Sequence, residues 1–294
     1  MEVLGLASDT GNSWQKQCGF HAMTNLEVGN LNCIPVSQGA TWPLINTPDR
    51  FQAWESVHGK CPFPGAFGPR NQTAEQEGKN PASGDPYRIV EEAFVEGLPN
   101  ATTFNNSTNA ASFMVQVVHK YPHQVSIYTA GALTNIALAV RMDPSFASLA
   151  TELVFMGGYV DVNMLQVTGD MTQADINSDI NLMADPEAAK IAVNADFPEI
   201  VIAGNVANQV QSNQEYLDEV SQVKTPFTSL FHDHYATKFP FWDETAAALM
   251  VDRSIALNTS DASANGENAA TIHTTTGRGE QGFPSAQPYL SHAP

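Results

Sequence analysis

Short apolar runs alternate along this chain with longer segments of helical periodicity, and that alternation constrains the fold most. VLGLAS (3–8), CIPVSQ (33–38), VSIYTA (125–130), LVFMGG (153–158) and IVIAGN (200–205) have the length of buried strands, and each ends near Gly, Ser or Asn. Runs that are apolar throughout suit strands covered on both faces, as in a parallel sheet. Segments around 14–28, 86–98, 110–121, 133–142, 186–195, 212–223 and 244–252 read as helices. Together they predict an α/β, Rossmann-like, mostly parallel sheet with crossover helices.

The 294 residues are 43% hydrophobic, enough for one sizeable core. Residues 38–84 are rich in Pro, Gly, Trp and Asn and read as a long irregular loop, a kind of segment that often carries function. From about residue 254 the sequence is polar and Gly- and Ser-rich, which predicts one domain over 1–253 and a disordered tail over 254–294. Thirteen Lys and Arg stand against 31 Asp and Glu, a formal charge of -18. Such a field repels DNA, RNA and anionic membrane surfaces and leaves a small neutral or cationic ligand as the expected partner. No apolar stretch approaches the roughly 20 residues that cross a bilayer, and the first residues lack the basic and apolar regions of a signal peptide. Cys18, Cys33 and Cys61 match neither a disulfide framework nor a zinc pattern and read as small buried hydrophobes. Sequons at Asn71, Asn100, Asn105, Asn106 and Asn258, with the acidic composition, point toward a secreted or vacuolar form.

In open α/β sheets, ligands bind beyond the carboxyl ends of the strands. Asp9-Thr10-Gly11-Asn12, Gly131-Ala132-Leu133-Thr134-Asn135 and Met156-Gly157-Gly158 occupy such positions. Asp179 and Asn181, two apart on a segment read as extended, direct their side chains to one side. Each of these has a plain structural explanation when taken alone. Asp243 reads as a helix N-cap and Trp242 as an interface aromatic; DPEAAKIA reads as a well-formed helix start. His232 and His234 read as surface hydrogen-bonding groups.

Taken in order, however, GALTNIALAV (131–140), FMGGYV (155–160), DINLMADPEAAKIA (179–192) and FWDETAAALMVD (241–252) resemble the inosine-uridine nucleoside hydrolase family. Its corresponding blocks are T-G-P-L-T-N-I-A, M-G-G, E-F-N-x-x-x-D-P-E-A-A and a late Asp that opens a helix. The resemblance implies hydrolysis of the N-glycosidic bond of ribonucleosides by a calcium-bound water, and nucleoside salvage as the setting. Hard oxygen ligands suit calcium. By position, Asp243 and the Ala130 carbonyl match the family's metal ligands, and Asp179 and Asn181 match its ribose-binding Glu and Asn. Met156 matches a residue lining the ribose, Asn12 the Asn of an A-G-N segment, and Asp170 an Asn of the ribose site. His58-Gly59 resembles an H-G loop beside the base.

Many members carry His before the late Asp as an acid to the leaving base. Trp242 at that place resembles the purine-preferring subgroup, in which an indole stacks on the base and so serves catalysis. The family's opening D-x-D-x-x-x-D-D, which supplies the general base and most calcium carboxylates, has no counterpart here. The expectation is therefore an N-terminally truncated member with an incomplete calcium site and without the family's first strand. The alternatives are a non-catalytic binder of ribose or nucleoside, or a secreted glycoprotein without activity. Family members commonly form dimers or tetramers, so a homo-oligomer is implied, with no interface signal in the sequence itself.

Overall fold

The fold is given by a computed structural model, which describes residues 1–61, 64–68, 84–101, 103–158, 179–207, 210–256, 258–263 and 269–274. All five expected strands form. β1 (Leu6–Ala7) pairs in parallel with β2 (Val36–Ser37) as a sheet of two. β3 (Ser126–Thr129), β4 (Glu152–Phe155) and β5 (Ile200–Ile202) pair in parallel in a second sheet. β6 (Asn258–Ser263) and β7 (Ala269–Thr274) form an antiparallel hairpin whose second strand lies parallel to β5, giving the order β3-β4-β5-β7-β6. The disorder expected from residue 254 onward does not hold for these two segments. Their polar sequences lack an apolar run because they are held by the backbone ladder.

The helices are α1 (Gln15–Val28), α2 (Pro48–His58), α3 (Ala110–Lys120), α4 (Thr134–Met142), α5 (Phe146–Leu149), α6 (Ile180–Ala184), α7 (Pro186–Val193), α8 (Gly204–Ala207), α9 (Gln214–Val220), α10 (Pro226–His234) and α11 (Trp242–Val251). Side-chain caps start many of them: Thr47 for α2, Asn109 for α3, Asp185 for α7, Asn213 for α9 and Thr225 for α10. α2 corrects the reading of 38–84 as wholly irregular.

The helix expected over 86–98 is also corrected, to a single 3-10 turn, Glu91–Ala93. Gln17 from α1 explains the difference, because its side-chain amide donates to the Val90 carbonyl at 3.3 Å and accepts from the Val90 N–H at 2.9 Å. The Val90 N–H captured in this way is withdrawn from a helical ladder, while its carbonyl is shared with the Ala93 N–H at 3.2 Å in the short turn. The apolar residues of the segment still reach a core, since Phe94 packs with Phe20, Met23 and Val36.

Both faces of the β3–β4–β5 part of the five-stranded sheet are covered. On one side Ile127, Leu153, Phe155 and Ile200 pack against Val118 of α3, Ile136 and Ala139 of α4, and Ala188 and Ala192 of α7. Alanines at these positions let the helix axes approach the sheet closely. The other side holds a smaller cluster of Met156, Ala203, Ala246 and Leu249, with Tyr128 and Trp242 partly buried against it. Among the described residues no helix is long and apolar enough to cross a membrane.

The two sheets meet near their carboxyl ends. Asn135 of α4 donates to the Ser8 carbonyl at 3.0 Å and accepts from the Ala40 N–H at 2.9 Å. Gly39 is pressed into this junction, and a Cβ there would run into the Ser8 carbonyl and the Asn135 amide. Because the Ser8 group is backbone, Gly39→Ala is expected to lower unfolding stability by about 2 kcal/mol, measured by urea titration.

Two sequon asparagines serve β2. Asn105 accepts from the Val36 N–H at 2.6 Å and donates to the Ile34 carbonyl at 3.1 Å, and Asn106 donates to Ser37 Oγ at 2.8 Å. Asn100 donates from its side chain to Glu27 at 2.8 Å.

Candidate nucleoside site

The strand ends gather most of the candidate residues. Met156 follows β4 and is 3% exposed. The next two residues turn the chain away, Gly158 with a left-handed φ of 71°, where a side chain would be strained. A Cβ on Gly157 would fall 2.5 Å from Asp179 Oδ2, so glycine makes room for that carboxylate. Asp179 Oδ2 accepts from the Gly158 N–H, and Oδ1 accepts from the Asn181 N–H at 2.8 Å. Asn181 in turn donates from Nδ2 to the Met156 carbonyl at 3.1 Å. The Met-Gly-Gly and Asp-Ile-Asn blocks are thus locked to one another.

The structure corrects one local expectation. Asp179 is extended, but Asn181 already lies in α6, with Asp179 as its N-cap. The two side chains converge because a cap folds back over the first turn, and not through the period-two alternation of a strand. Burial, opposed by the backbone donors of Asn181, Gly158 and Leu182, moves the Asp179 pKa up to about 6.

Asp243 is not a helix cap. Phe241 holds that position, and Trp242 and Asp243 are the first two residues of α11. Asp243 is exposed at the start of the helix, and partial desolvation of its carboxyl, then Glu244 and then Asp179, pushes its pKa up to about 7. The Tyr128 hydroxyl donates to the Asp243 carbonyl at 2.8 Å. Burial first, and then Asp243 and Glu244, raises the Tyr128 pKa above the ordinary phenol range. The Trp242 ring meets Phe239 edge-on at 5.1 Å and packs in the cluster that contains Met156.

Ala130 directly follows β3. Beside it, at the end of β1, lies a carboxylate that the sequence left standing alone. Asp9 Oδ1 would be 2.9 Å from a Cβ on Gly131, and burial moves its pKa up to about 7. The only sequence signal for it was its strand-end position. Asn12 is exposed in the following loop, which the Gly11 carbonyl pins to Ala66 N–H at 2.9 Å and the Thr10 hydroxyl to the Thr41 carbonyl at 2.8 Å. His58 ends α2, exposed, with its ring 5.0 Å from Trp54. Among the described residues no hydrogen bond or ring contact joins Asn12 or His58 to the Asp179 group. Asp170 lies outside the described residues.

Asp243, Asp179 and the Ala130 carbonyl are hard oxygen donors of the kind calcium takes, but calcium needs six to eight oxygens. Among the described residues no group of three or more His, Cys, Asp or Glu side chains gathers closely enough to hold a metal ion. By themselves they do not form a calcium site.

Fold and site define an α/β protein whose polar and aromatic groups converge beyond the carboxyl ends of a parallel sheet. The inosine-uridine preferring nucleoside hydrolase family matches residues 1–285, and the chain belongs to it. A Schizosaccharomyces pombe protein is 32% identical over 263 residues, covering 84% of this chain and 62% of that protein. Probable uridine nucleosidase 1 of Oryza sativa subsp. japonica is 29% identical over 224 residues, covering 76% of this chain and 57% of that protein. The chain thus spans about six-tenths of the length of these relatives. Among solved structures, a plant nucleoside hydrolase superposes with a TM-score of 0.62 at 20% identity, covering 96% of this chain and 82% of that one. A purine-preferring ribonucleoside hydrolase from Gardnerella vaginalis gives 0.63 at 16%, covering 94% and 81%. These likenesses show the nucleoside hydrolase fold.

Proposed function

We propose that this chain supplies the ribose- and base-contacting face of a ribonucleoside N-glycosidic hydrolase. The observation that carries the reading is the continuous run Asp179–Asn181–Met156–Trp242–Asp243, in which buried polar groups, a thioether and an indole from three separate blocks meet at the strand ends. Cleavage of an N-glycosidic bond builds positive charge on the ribose, and carboxylates held in place at such a point stabilise it. Asp179 and Asn181 serve the ribose hydroxyls, Met156 lines the sugar, and Trp242 stacks on the base. Asn12 and His58 border the opening, and Asp170 belongs to the same ribose role. Calcium enters only as an ion that Asp243 and the Ala130 carbonyl would share with oxygens not among the described residues.

A flat indole favours a purine, because stacking grows with ring area. Inosine is expected to raise the melting temperature of the full chain more than uridine does, and Trp242→Ala is expected to weaken inosine binding about tenfold. A larger shift with uridine would sink the purine preference. Ribose release that a chelator stops would support the hydrolase, whereas stabilisation without release would support a second reading, a non-catalytic nucleoside binder. What supports that second reading is that, among the described residues, no three His, Cys, Asp or Glu side chains gather closely enough to hold a metal ion.

A further inference from the structure

We propose that Tyr128 is a positioning residue of this site: its phenol braces the first turn of α11 against β3 and so sets Trp242 and Asp243 relative to Ala130 and Met156. The proposal rests on the nucleoside reading of that cluster. Its neighbour on the strand, Ile127, enters the core shared with α3, α4 and α7. Alternation along a strand therefore turns Tyr128 to the opposite face, where it packs among Met156, Trp242 and Ala246. Its hydroxyl donates at 2.8 Å to the carbonyl of Asp243, the second residue of α11.

That first turn lacks the anchor other helices of this chain have. Phe241 offers no side-chain cap, whereas α2, α3, α7, α9 and α10 begin on a Thr, Asn or Asp that accepts a backbone N–H. Among the contacts that hold the turn are the Phe241 N–H on the Val210 carbonyl at 2.8 Å, from a loop, and the Tyr128 hydroxyl, from the sheet. The second refers α11 to the strand that ends at Ala130. β3 is fixed to β4 with Tyr128 opposite Val154, and the Met156 N–H donates to the Thr129 carbonyl at 3.0 Å. One phenol therefore relates an indole, a carboxylate, a backbone carbonyl and a thioether that come from three segments of the chain.

The test is Tyr128→Phe in the full chain, which keeps the ring and removes the donor. Hydrogen exchange is expected to quicken about fivefold at the amides of residues 245–248, whose acceptors lie in the first turn, and to stay unchanged in α3 and α4. Tryptophan emission is expected to shift, and the shift to vanish when the same change is made in a Trp242→Phe background. Inosine Kd is expected to rise about fivefold, with the melting temperature within about 3 °C of the parent. A merely structural role would lower the melting temperature and leave Kd at 25 °C unmoved. Unchanged exchange and emission would overturn the brace even if the parent binds inosine. Changed exchange and emission in a parent that binds no inosine would uphold the brace and overturn the nucleoside reading.

Discussion

Asp185→Ala is expected to lower the unfolding free energy by about 3–4 kcal/mol, the largest single-residue effect anticipated in this chain. The residue is fully buried. Oδ2 accepts from the Leu44 N–H at 2.8 Å and from the Thr134 hydroxyl at 2.7 Å, while Oδ1 accepts from the Ala188 N–H at 3.1 Å. Three distant segments, the 41–46 loop and the starts of α4 and α7, are thus tied at one carboxylate. Removing it strands two buried donors, the Thr134 hydroxyl and the Ala188 N–H, and frees the part-buried Leu44 N–H; the desolvation of unpaired buried donors outweighs the modest net value of each bond. Asp185→Asn retains one acceptor oxygen and is expected to fall between the parent and alanine. Urea titration followed by circular dichroism measures both, and a loss below 1 kcal/mol for alanine would contradict the assignment.

Asp179→Asn is expected to act in two opposite directions. Folding raises the pKa of this acid from 3.8 to about 6, so the protonated form favours the folded state. Its contribution is fully present below pH 3.8 and is lost as pH rises through about 6. The shift corresponds to on the order of 3 kcal/mol. In chelator-treated protein, the parent's stability should therefore decline between pH 4 and pH 7 by more than that of the Asn variant, by on the order of 2–3 kcal/mol. At the same time the variant loses a carboxylate of the proposed ribose contact, and its inosine affinity should drop about tenfold or more. A residue whose charge burdens the fold and aids the ligand is what a binding site requires. Equal pH slopes in the two proteins would refute the buried-charge account.

Much of the sheet was legible because its strands are apolar on both faces, as Val154 and Phe155 illustrate. α2 was hidden in the Pro-rich 38–84 stretch, although Thr47-Pro48 there, like Thr225-Pro226 at α10, carries the cap-then-proline signal of a helix start. The apolar spacing of 86–98 suggested a helix, but periodicity carries no information about a distant Gln17 that takes the backbone N–H of Val90. The hairpin β6–β7 has no hydrophobic alternation to find. At the site, the blocks around Met156, Asp179 and Asp243 stood out by resemblance, whereas Tyr128 and Asp9 did not. The role of Tyr128 lies in a contact with Asp243, 115 residues away, and that of Asp9 in its approach to Gly131.

The side-chain amide of Asn105 has a bearing on how the chain ages. By accepting from Val36 and donating to Ile34 it stands in for a neighbouring strand and closes the outer border of β2 against pairing with another molecule. Deamidation would replace its donor with a carboxylate oxygen facing the Ile34 carbonyl, turning attraction into repulsion and reopening that border. Slow chemistry at one exposed amide would thereby loosen the edge of the two-stranded sheet that this side chain holds.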